Sequence, residues 1–116
     1  MILHLDRSNS YTVPGTVQGK TANFLLDTGA TSTFVSSQVA AAAGLPVCKR
    51  MQEIRTANGS VRACSTVASE ITFGTFRMEN VSVVIMPMMS YDVLLGMNVL
   101  RQLKLEHRAD QLIISR

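Results

Sequence analysis

One carboxylate in this chain stands where proton chemistry is feasible. Asp27 ends the apolar run at 24–26 and opens a turn of small residues at 27–31, which reads Asp-Thr-Gly-Ala-Thr. Asp, Thr and Gly are unfavourable inside a strand, so a strand is predicted to end at Asp27. Gly29 carries no side chain and lets another main chain approach closely. An acid beside the Thr28 hydroxyl, at the mouth of an apolar wall, could therefore exchange protons with a bound ligand.

The same residues have a simpler interpretation. Asp-x-Gly sequences are common in β-turns, where the Asp side chain caps the main chain and does no chemistry. The tripeptide at 27–29 is compatible with either interpretation, so a second motif has to decide between them.

That second motif lies near the C-terminal end. An apolar strand is predicted at 93–95, followed by Gly96 and a short helix with apolar residues at 99, 100 and 103. Asp-Thr-Gly-Ala followed by apolar-apolar-Gly-x-Asn-x-Leu resembles the retropepsin-like aspartic proteases, which are related to the retroviral enzymes. The likeness is closest to their bacterial single-domain branch, in which Thr-Ala-Asn-Gly (here 56–59) and Leu-Leu-Gly-Met (here 94–97) recur together.

The resemblance implies a fold and an activity. The fold would be an all-β, closed β-barrel of the acid-protease type with one or two short helices, forming a single domain over residues 1–116. The activity would be that of an aspartic endopeptidase, which hydrolyses a peptide bond with a water held between two carboxylates and needs no cofactor. The substrate would be a polypeptide.

The count of Asp residues implies that each chain supplies half of such a site. An aspartic protease needs two adjacent carboxylates that share one proton. The other aspartates are Asp6, Asp92 and Asp110, and none of them is followed by Thr-Gly or Ser-Gly. The simplest solution is a twofold homodimer that places Asp27 beside its symmetry mate.

The resemblance also assigns roles to individual residues. Besides Asp27, the catalytic turn contains Thr28, whose hydroxyl would link the two active-site loops across the dimer axis, and Gly29, whose main chain would hold the substrate. Ala30 and Thr31 would shape nearby subsites. The remaining residues expected to contact the substrate belong to a hairpin tip and are Thr56, Ala57, Asn58 and Gly59.

Residues 52–65 are predicted to form that hairpin, with Asn58-Gly59 as a two-residue turn. Its strands contain few apolar residues, so the hairpin is expected to project from the barrel and to move. In the family it would be the flap that closes over the substrate. The alternative is a plain surface hairpin.

The chain departs from the retroviral pattern at two coupled positions. There, an Asp two residues after the Gly of the triad pairs with an Arg just after the later Gly. Here those positions hold Thr31 and Met97, which are both neutral. Replacing both partners avoids an unpaired buried charge, so fold and activity remain plausible while a viral type of substrate preference does not follow.

Two further elements are predicted from local signals. Ser36 and Ser37 can cap a helix that ends at Gly44. The apolar segments 2–5 and 112–114 have the character of edge strands, which tend to pair with another chain. By analogy with the retroviral enzymes, these termini are expected to interleave between two subunits.

Composition limits the other possibilities. A chain of 116 residues with 47% hydrophobic residues can form one core and is not disordered. The net charge of +3 is scattered and the chain is only 5% aromatic, so nucleic-acid binding has little support. Cys48 and Cys64 are expected to be free buried thiols, with a disulfide as the alternative. Together with His4 and His107 they are too scattered to indicate a metal site.

Two other kinds of function remain open. One is a catalytically inactive module with the same fold that dimerises or binds peptides, and the other is an unrelated small β-barrel in which the triad is only a turn. Residues 1–6 are too short and polar to insert into a membrane, so no signal peptide or membrane contact is expected from this segment. Bacterial relatives often carry an N-terminal anchor, so a periplasmic or membrane-anchored precursor and a cytoplasmic protein are both compatible with the resemblance.

Overall fold

A computed structural model describes residues 1–46, 48, 50–56 and 59–116. The strands are β1 (Ile2–His4), β2 (Tyr11–Val17), β3 (Lys20–Leu26), β4 (Thr33–Ser36), β5 (Arg50–Thr56), β6 (Gly59–Phe73), β7 (Phe76–Met86), β8 (Val93–Leu95), β9 (Lys104–Arg108) and β10 (Gln111–Ser115). The helices are α1 (Ser37–Ala43) and α2 (Met97–Leu100). No helix among these residues is long and apolar enough to cross a membrane.

The central feature of the fold is a closed barrel of six strands. They follow the order β2-β3-β8-β4-β7-β6, and an antiparallel pairing of β2 with β6 closes the ring. Two pairs, β3 with β8 and β4 with β7, are parallel. This confirms the predicted all-β barrel with two short helices. The parallel pairs matter for the site, because β3 and β8 end at the same rim of the barrel.

The barrel interior is filled by alternate side chains of its strands, as expected for strands with one face toward a core. Phe24 and Phe73 lie with their ring centroids 6.1 Å apart, and Phe73 lies 5.5 Å from Phe76. Val93 and Leu95 of β8 are also fully buried. Burial of each large side chain contributes about 1.5–3 kcal/mol, so the strands that carry the rim are held by a well-filled core.

Strand β5 lies outside the barrel. Among the described strands it pairs with β6 alone, in a ladder from Arg50 opposite Ser65 to Thr56 opposite Gly59. Strand β6 then continues into the barrel, where it pairs with β7 and β2. The predicted hairpin is therefore confirmed. Gly59, however, is a strand residue with φ +110° and not part of a turn, and Asn58, the other half of the predicted turn, lies outside the described residues.

A disulfide joins Cys48 to Cys64, so the expectation of free, buried thiols is wrong. The two Cα atoms are 5.4 Å apart, and the two cysteines are separated by 16 positions in the sequence. The β5–β6 ladder explains the pairing: Met51 lies opposite Cys64, which brings the residues just before β5 alongside β6. The bridge thus ties the base of the hairpin to a barrel strand.

The terminal strands form a separate sheet in the order β1-β10-β9. Strand β10 has a neighbour on each side, and its residues Leu112 and Ile114 are buried in the core. Both predicted terminal strands exist, but they pair with each other within one chain. The expected exchange of termini between subunits therefore does not describe this arrangement, because β10 has no open edge.

Helix α1 follows its predicted signals. Ser36 caps the first turn by accepting a hydrogen bond from the Val39 N–H at 3.2 Å, and Gly44 ends the helix in the left-handed conformation at φ +66°. Ala40 and Ala43 face the core. The helix covers the barrel side next to β3 and β4 and so stabilises the strands on both sides of the 27–32 segment.

Candidate active site

Asp27 lies at the barrel rim, directly after β3. Its N–H donates a hydrogen bond to the Leu95 carbonyl at 3.0 Å, which continues the parallel pairing of Leu26 with Leu95 by one residue. The predicted end of a strand at Asp27 is confirmed. Because β3 and β8 are parallel neighbours, the residues after both strands, Asp27 and Gly96, emerge side by side.

The segment after β3 forms a tight turn organised by the Asp27 carboxylate. Oδ1 of Asp27 accepts a hydrogen bond from the Gly29 N–H at 2.9 Å, and the Ala30 N–H donates to the Asp27 carbonyl at 3.2 Å. The carboxylate does cap the turn, as the simpler interpretation holds. Within the described part of the chain its other oxygen accepts no hydrogen bond, so that atom remains available for chemistry. Asp27 is half-buried, and Thr28 and Gly29 are exposed.

The turn after β8 packs directly against the 27–31 turn. A Cβ atom at Gly96 would overlap the Ser32 carbonyl group and crowd the Ala30 carbonyl oxygen. The Met97 N–H donates to the Ala30 carbonyl at 2.7 Å, and the Asn98 N–H donates to the Thr31 carbonyl at 3.2 Å. The start of α2 therefore supports the back of the 27–32 segment.

Those two main-chain hydrogen bonds join the turn to α2 beside Thr31 and Met97, the two positions at which this chain departs from the retroviral pattern. Thr31 is exposed and Met97 is half-buried, and neither carries a charge. The neutral pair leaves no buried charge without a partner, whose desolvation would be costly. Among the described residues, main-chain groups and not side chains join the 27–31 turn to α2 at Thr31 and Met97.

A polar cluster below the turn was missed by sequence reasoning. The Gly96 N–H donates to the fully buried hydroxyl of Thr33 at 3.1 Å, and that hydroxyl donates to the Asn98 amide oxygen at 2.7 Å. The Asn98 amide nitrogen then donates to the Ser82 carbonyl of β7 at 2.9 Å. The available signal was Asn98 itself, a polar residue inside the second motif next to two buried positions.

The predicted substrate-contacting residues fall into two groups. Ala30 and Thr31 belong to the turn after Asp27, where Ala30 is half-buried. Thr56 and Gly59 form the last pair of the β5–β6 ladder. Ala57 and Asn58 lie outside the described residues. The structure thus assembles residues 27–31 into one turn and carries Thr56 and Gly59 on the hairpin.

Comparison with solved structures identifies the class of this barrel. A retropepsin-like aspartic protease from Rickettsia conorii superposes with a TM-score of 0.85, and the match covers 98% of this chain and 88% of that one. The two sequences are 22% identical, so the comparison shows the fold. The barrel with its terminal sheet is a retropepsin-like fold.

Comparison with family models adds the sequence evidence. The model described as "gag-polyprotein putative aspartyl protease" matches residues 13–102, which extend from β2 to just past α2 and include both motifs. The chain belongs to this family of aspartic proteases. No curated protein sequence matches it.

Proposed function

We propose that this protein is an aspartic endopeptidase that acts as a homodimer, with Asp27 of each chain forming the catalytic pair. The observation that carries the proposal is the Asp27 carboxylate itself. It stands at the rim of a retropepsin-like barrel with one oxygen held by the Gly29 N–H and the other available. A half-buried acid held in this way is suited to proton transfer with a bound water.

The reaction needs two such carboxylates. Because two adjacent negative charges repel each other, the pair retains one proton. The ionised carboxylate takes a proton from the water, whose oxygen attacks the carbonyl carbon of the peptide bond. The protonated carboxylate donates its hydrogen bond, and then its proton, to the carbonyl oxygen. The tetrahedral intermediate collapses when the carboxyl group that took the proton from water passes it to the amide nitrogen. The C–N bond then breaks and the amine leaves, while one hydroxyl of the intermediate gives its proton to the other carboxylate, which restores the pair with one shared proton.

Exposure of the turn supports a dimeric site. Thr28 and Gly29 are exposed in the single chain although they adjoin the proposed catalytic group. A twofold axis beside this turn would cover both residues and bring the two Asp27 side chains together. The Thr28 hydroxyl would then hydrogen-bond across the axis and fix the relative position of the turns.

The β5–β6 hairpin is proposed as the flap. It extends from the barrel on a single pairing partner, and none of the described side chains of β5 is buried. Such a segment has low local stability and can close over a ligand. An extended peptide beneath it would form strand-like main-chain hydrogen bonds with Thr56 to Gly59 and with the catalytic turn.

The decisive experiment compares the wild type with Asp27→Asn and, as a matched control, Asp110→Asn, which changes an exposed aspartate in a turn. Cleavage of a denatured-protein peptide library is measured by mass spectrometry. We expect Asp27→Asn to abolish cleavage with the fold and the dimer intact, because the change is nearly isosteric, and Asp110→Asn to cleave normally. Undiminished cleavage by purified Asp27→Asn would overturn the assignment.

A dilution series tests the half-site. When the site exists only in the dimer, specific activity falls as the chain dissociates. Analytical ultracentrifugation determines the dissociation range independently. Constant activity per chain in a range where sedimentation shows only monomers would contradict the dimeric site. A stable dimer that binds peptides without cleaving them would support the alternative, an inactive peptide-binding module.

A further inference from the structure

A pocket of about 350 Å³ with both polar and apolar walls lies between the proposed catalytic segment and the flap hairpin. It is lined on one side by Ser32, which directly follows the catalytic turn, and on the other by Arg50 and Gln52 of β5. Its floor is formed by β6 and β7. The pocket therefore continues the space in which an extended peptide would lie between turn and flap.

The wall of the pocket contains hydrogen-bonding groups, and one of them belongs to a residue that also contacts the turn at 27–31. Asn98, which supports the catalytic turn, lines it. Gln52 donates to the Ser65 hydroxyl at 2.6 Å, so this part of the wall is held in place. Ser65 and Ser82 also line the pocket. Hydroxyl and amide groups of this kind can donate hydrogen bonds to a polar ligand and accept them from it.

Arg50 gives the pocket a positive charge. It is the one charged residue among the described residues that line the pocket. It is exposed, and no carboxylate of the described chain forms an ion pair with it, whereas Arg77 and Arg108 are each paired with glutamates. A guanidinium group binds a carboxylate through two parallel hydrogen bonds.

Strand geometry explains why Arg50 faces the pocket and Arg55, on the same strand, does not. Successive side chains of a strand point to opposite faces, so Arg50 and Gln52 share one face of β5 and Arg55 belongs to the other. Both arginines are exposed on the same strand, but only Arg50 lines the pocket. The chain thus provides its own matched control.

We infer that this pocket is an outer substrate subsite that selects an acidic side chain through Arg50. The inference rests on the proposed peptidase function and adds to it a substrate class: peptides with Glu or Asp at one position away from the cleaved bond. The selecting residue is carried by the flap strand. The acidic side chain therefore also helps to hold the flap strand over the peptide.

The expected selectivity is modest because Arg50 is exposed to solvent. Exposed ion pairs contribute about 0.2–1 kcal/mol, so Glu should exceed Gln at the selected position by at most about fivefold in kcat/KM. Lys should be disfavoured by a similar factor, and the preference should shrink at ~1 M salt, where exposed charges are screened.

The test uses one peptide that the wild type cleaves, with Glu, Gln or Lys placed at each outer position in turn. Enzymes are the wild type, Arg50→Gln, Arg50→Glu and the control Arg55→Gln. We expect Glu to be preferred at one position by wild type and by Arg55→Gln, the preference to vanish in Arg50→Gln, and Lys to be preferred by Arg50→Glu. Equal rates for all three peptides, or a preference for Glu that survives in Arg50→Gln, would overturn the inference.

Binding separates this inference from the proposed function. The same peptides, labelled with a fluorophore, are titrated with Asp27→Asn and with Asp27→Asn/Arg50→Gln, and anisotropy is measured. If the wild type cleaves nothing, the peptidase proposal fails, yet tighter binding of the Glu peptide that depends on Arg50 still supports the subsite. If cleavage occurs but the Glu and Lys peptides bind equally, the subsite fails and the peptidase proposal stands.

Discussion

The hydroxyl of Thr33 donates a hydrogen bond to the amide oxygen of Asn98 at 2.7 Å, across 65 positions of sequence. Thr33 begins β4 and Asn98 lies in α2, so this contact joins the strand after the 27–31 turn to the helix that supports the turn from behind. The same hydroxyl also accepts a hydrogen bond from the Gly96 N–H. A single buried oxygen therefore joins the start of β4 to both Gly96 and Asn98.

Thr33→Val tests the importance of that oxygen. The substitution keeps the shape of the side chain but leaves the Gly96 N–H and the Asn98 amide without their partner. Buried polar groups that lose a partner cost about 1–3 kcal/mol, and we expect the free energy of unfolding to fall by that amount in urea titrations. Thr21→Val, the same change at an exposed position of β3, should have little effect. Equal loss in both variants would show that the buried oxygen has no special role.

Gly96→Ala should be poorly tolerated. The added Cβ atom would overlap the main chain at Ser32, and neither segment can retreat without breaking the hydrogen bonds that join Met97 and Asn98 to the catalytic segment. Overpacking typically costs about 1–3 kcal/mol and sometimes more, and we expect the upper end of that range. Thermal unfolding followed by circular dichroism measures the change. A melting temperature equal to that of the wild type would contradict the close packing of the two turns.

Gly29→Ala should separate stability from catalysis. A Cβ atom there would lie 3.2 Å from Oδ1 of Asp27, so the Asp27 side chain has to shift slightly while the fold is retained. Displacement of a catalytic group by a fraction of an ångström lowers rates strongly, and we expect a fall of about ten- to a hundredfold in kcat. Full activity with unchanged stability would show that the exact position of the carboxylate oxygen is unimportant.

The Cys48–Cys64 bridge should stabilise the protein under oxidising conditions. For a closed loop of about 15 residues the chain-entropy model gives about 3 kcal/mol. A dithiol reductant should lower the free energy of unfolding by about that amount in the wild type and leave the Cys48→Ser/Cys64→Ser variant unchanged. Hydrogen exchange should show the loss of protection concentrated in β5 and in the first half of β6. A reductant effect of equal size in the double variant would exclude the bridge as its cause.

Asp6 makes a contribution to the stability of the folded protein that is lost in acid. Hydrogen bonds from the Ser10 N–H and then from the Ser8 N–H lower the pKa of its carboxyl below the ordinary value of 3.8. Because the folded state binds this proton less tightly than the unfolded state, the stabilisation is present above pH 3.8 and is lost as the pH falls through the lowered pKa. The difference in stability between wild type and Asp6→Asn should therefore change across that acid window and stay constant above it. Urea titrations at a series of pH values provide the measurement, and a difference that varies only near neutral pH would contradict the assignment.

Local signals predicted the parts of the site that depend on main-chain conformation. The end of β3 at Asp27 and the caps of α1 at Ser36 and Gly44 each follow from the properties of single residues or adjacent ones. The resemblance to aspartic proteases then joined the two motifs into one site. The family match and the fold bear out that resemblance, while the roles of Asp27, Thr28 and Gly29 in catalysis remain predictions for the Asp27→Asn comparison.

What the sequence could not predict depends on distances between remote side chains. Whether Cys48 and Cys64 can pair depends on the separation of their Cα atoms, which only the β5–β6 register determines. The hydrogen bonds of Thr33 with Asn98 likewise require β4 and α2 to be placed first. The assignment of Gly59 to a turn is wrong because a glycine with positive φ suits a strand end as well as a turn centre.

The pairing of the chain ends has a consequence for how this protein folds. The main-chain groups of Met1 exchange hydrogen bonds with those of Ile114 at 2.8 Å, 113 positions away. Strand β1 therefore finds its partner only when the chain is complete through β10. Contacts between such distant residues require closure of a very long loop, and topologies rich in them fold slowly. During synthesis the barrel strands can begin to assemble, whereas β1 stays unpaired until β10 has left the ribosome.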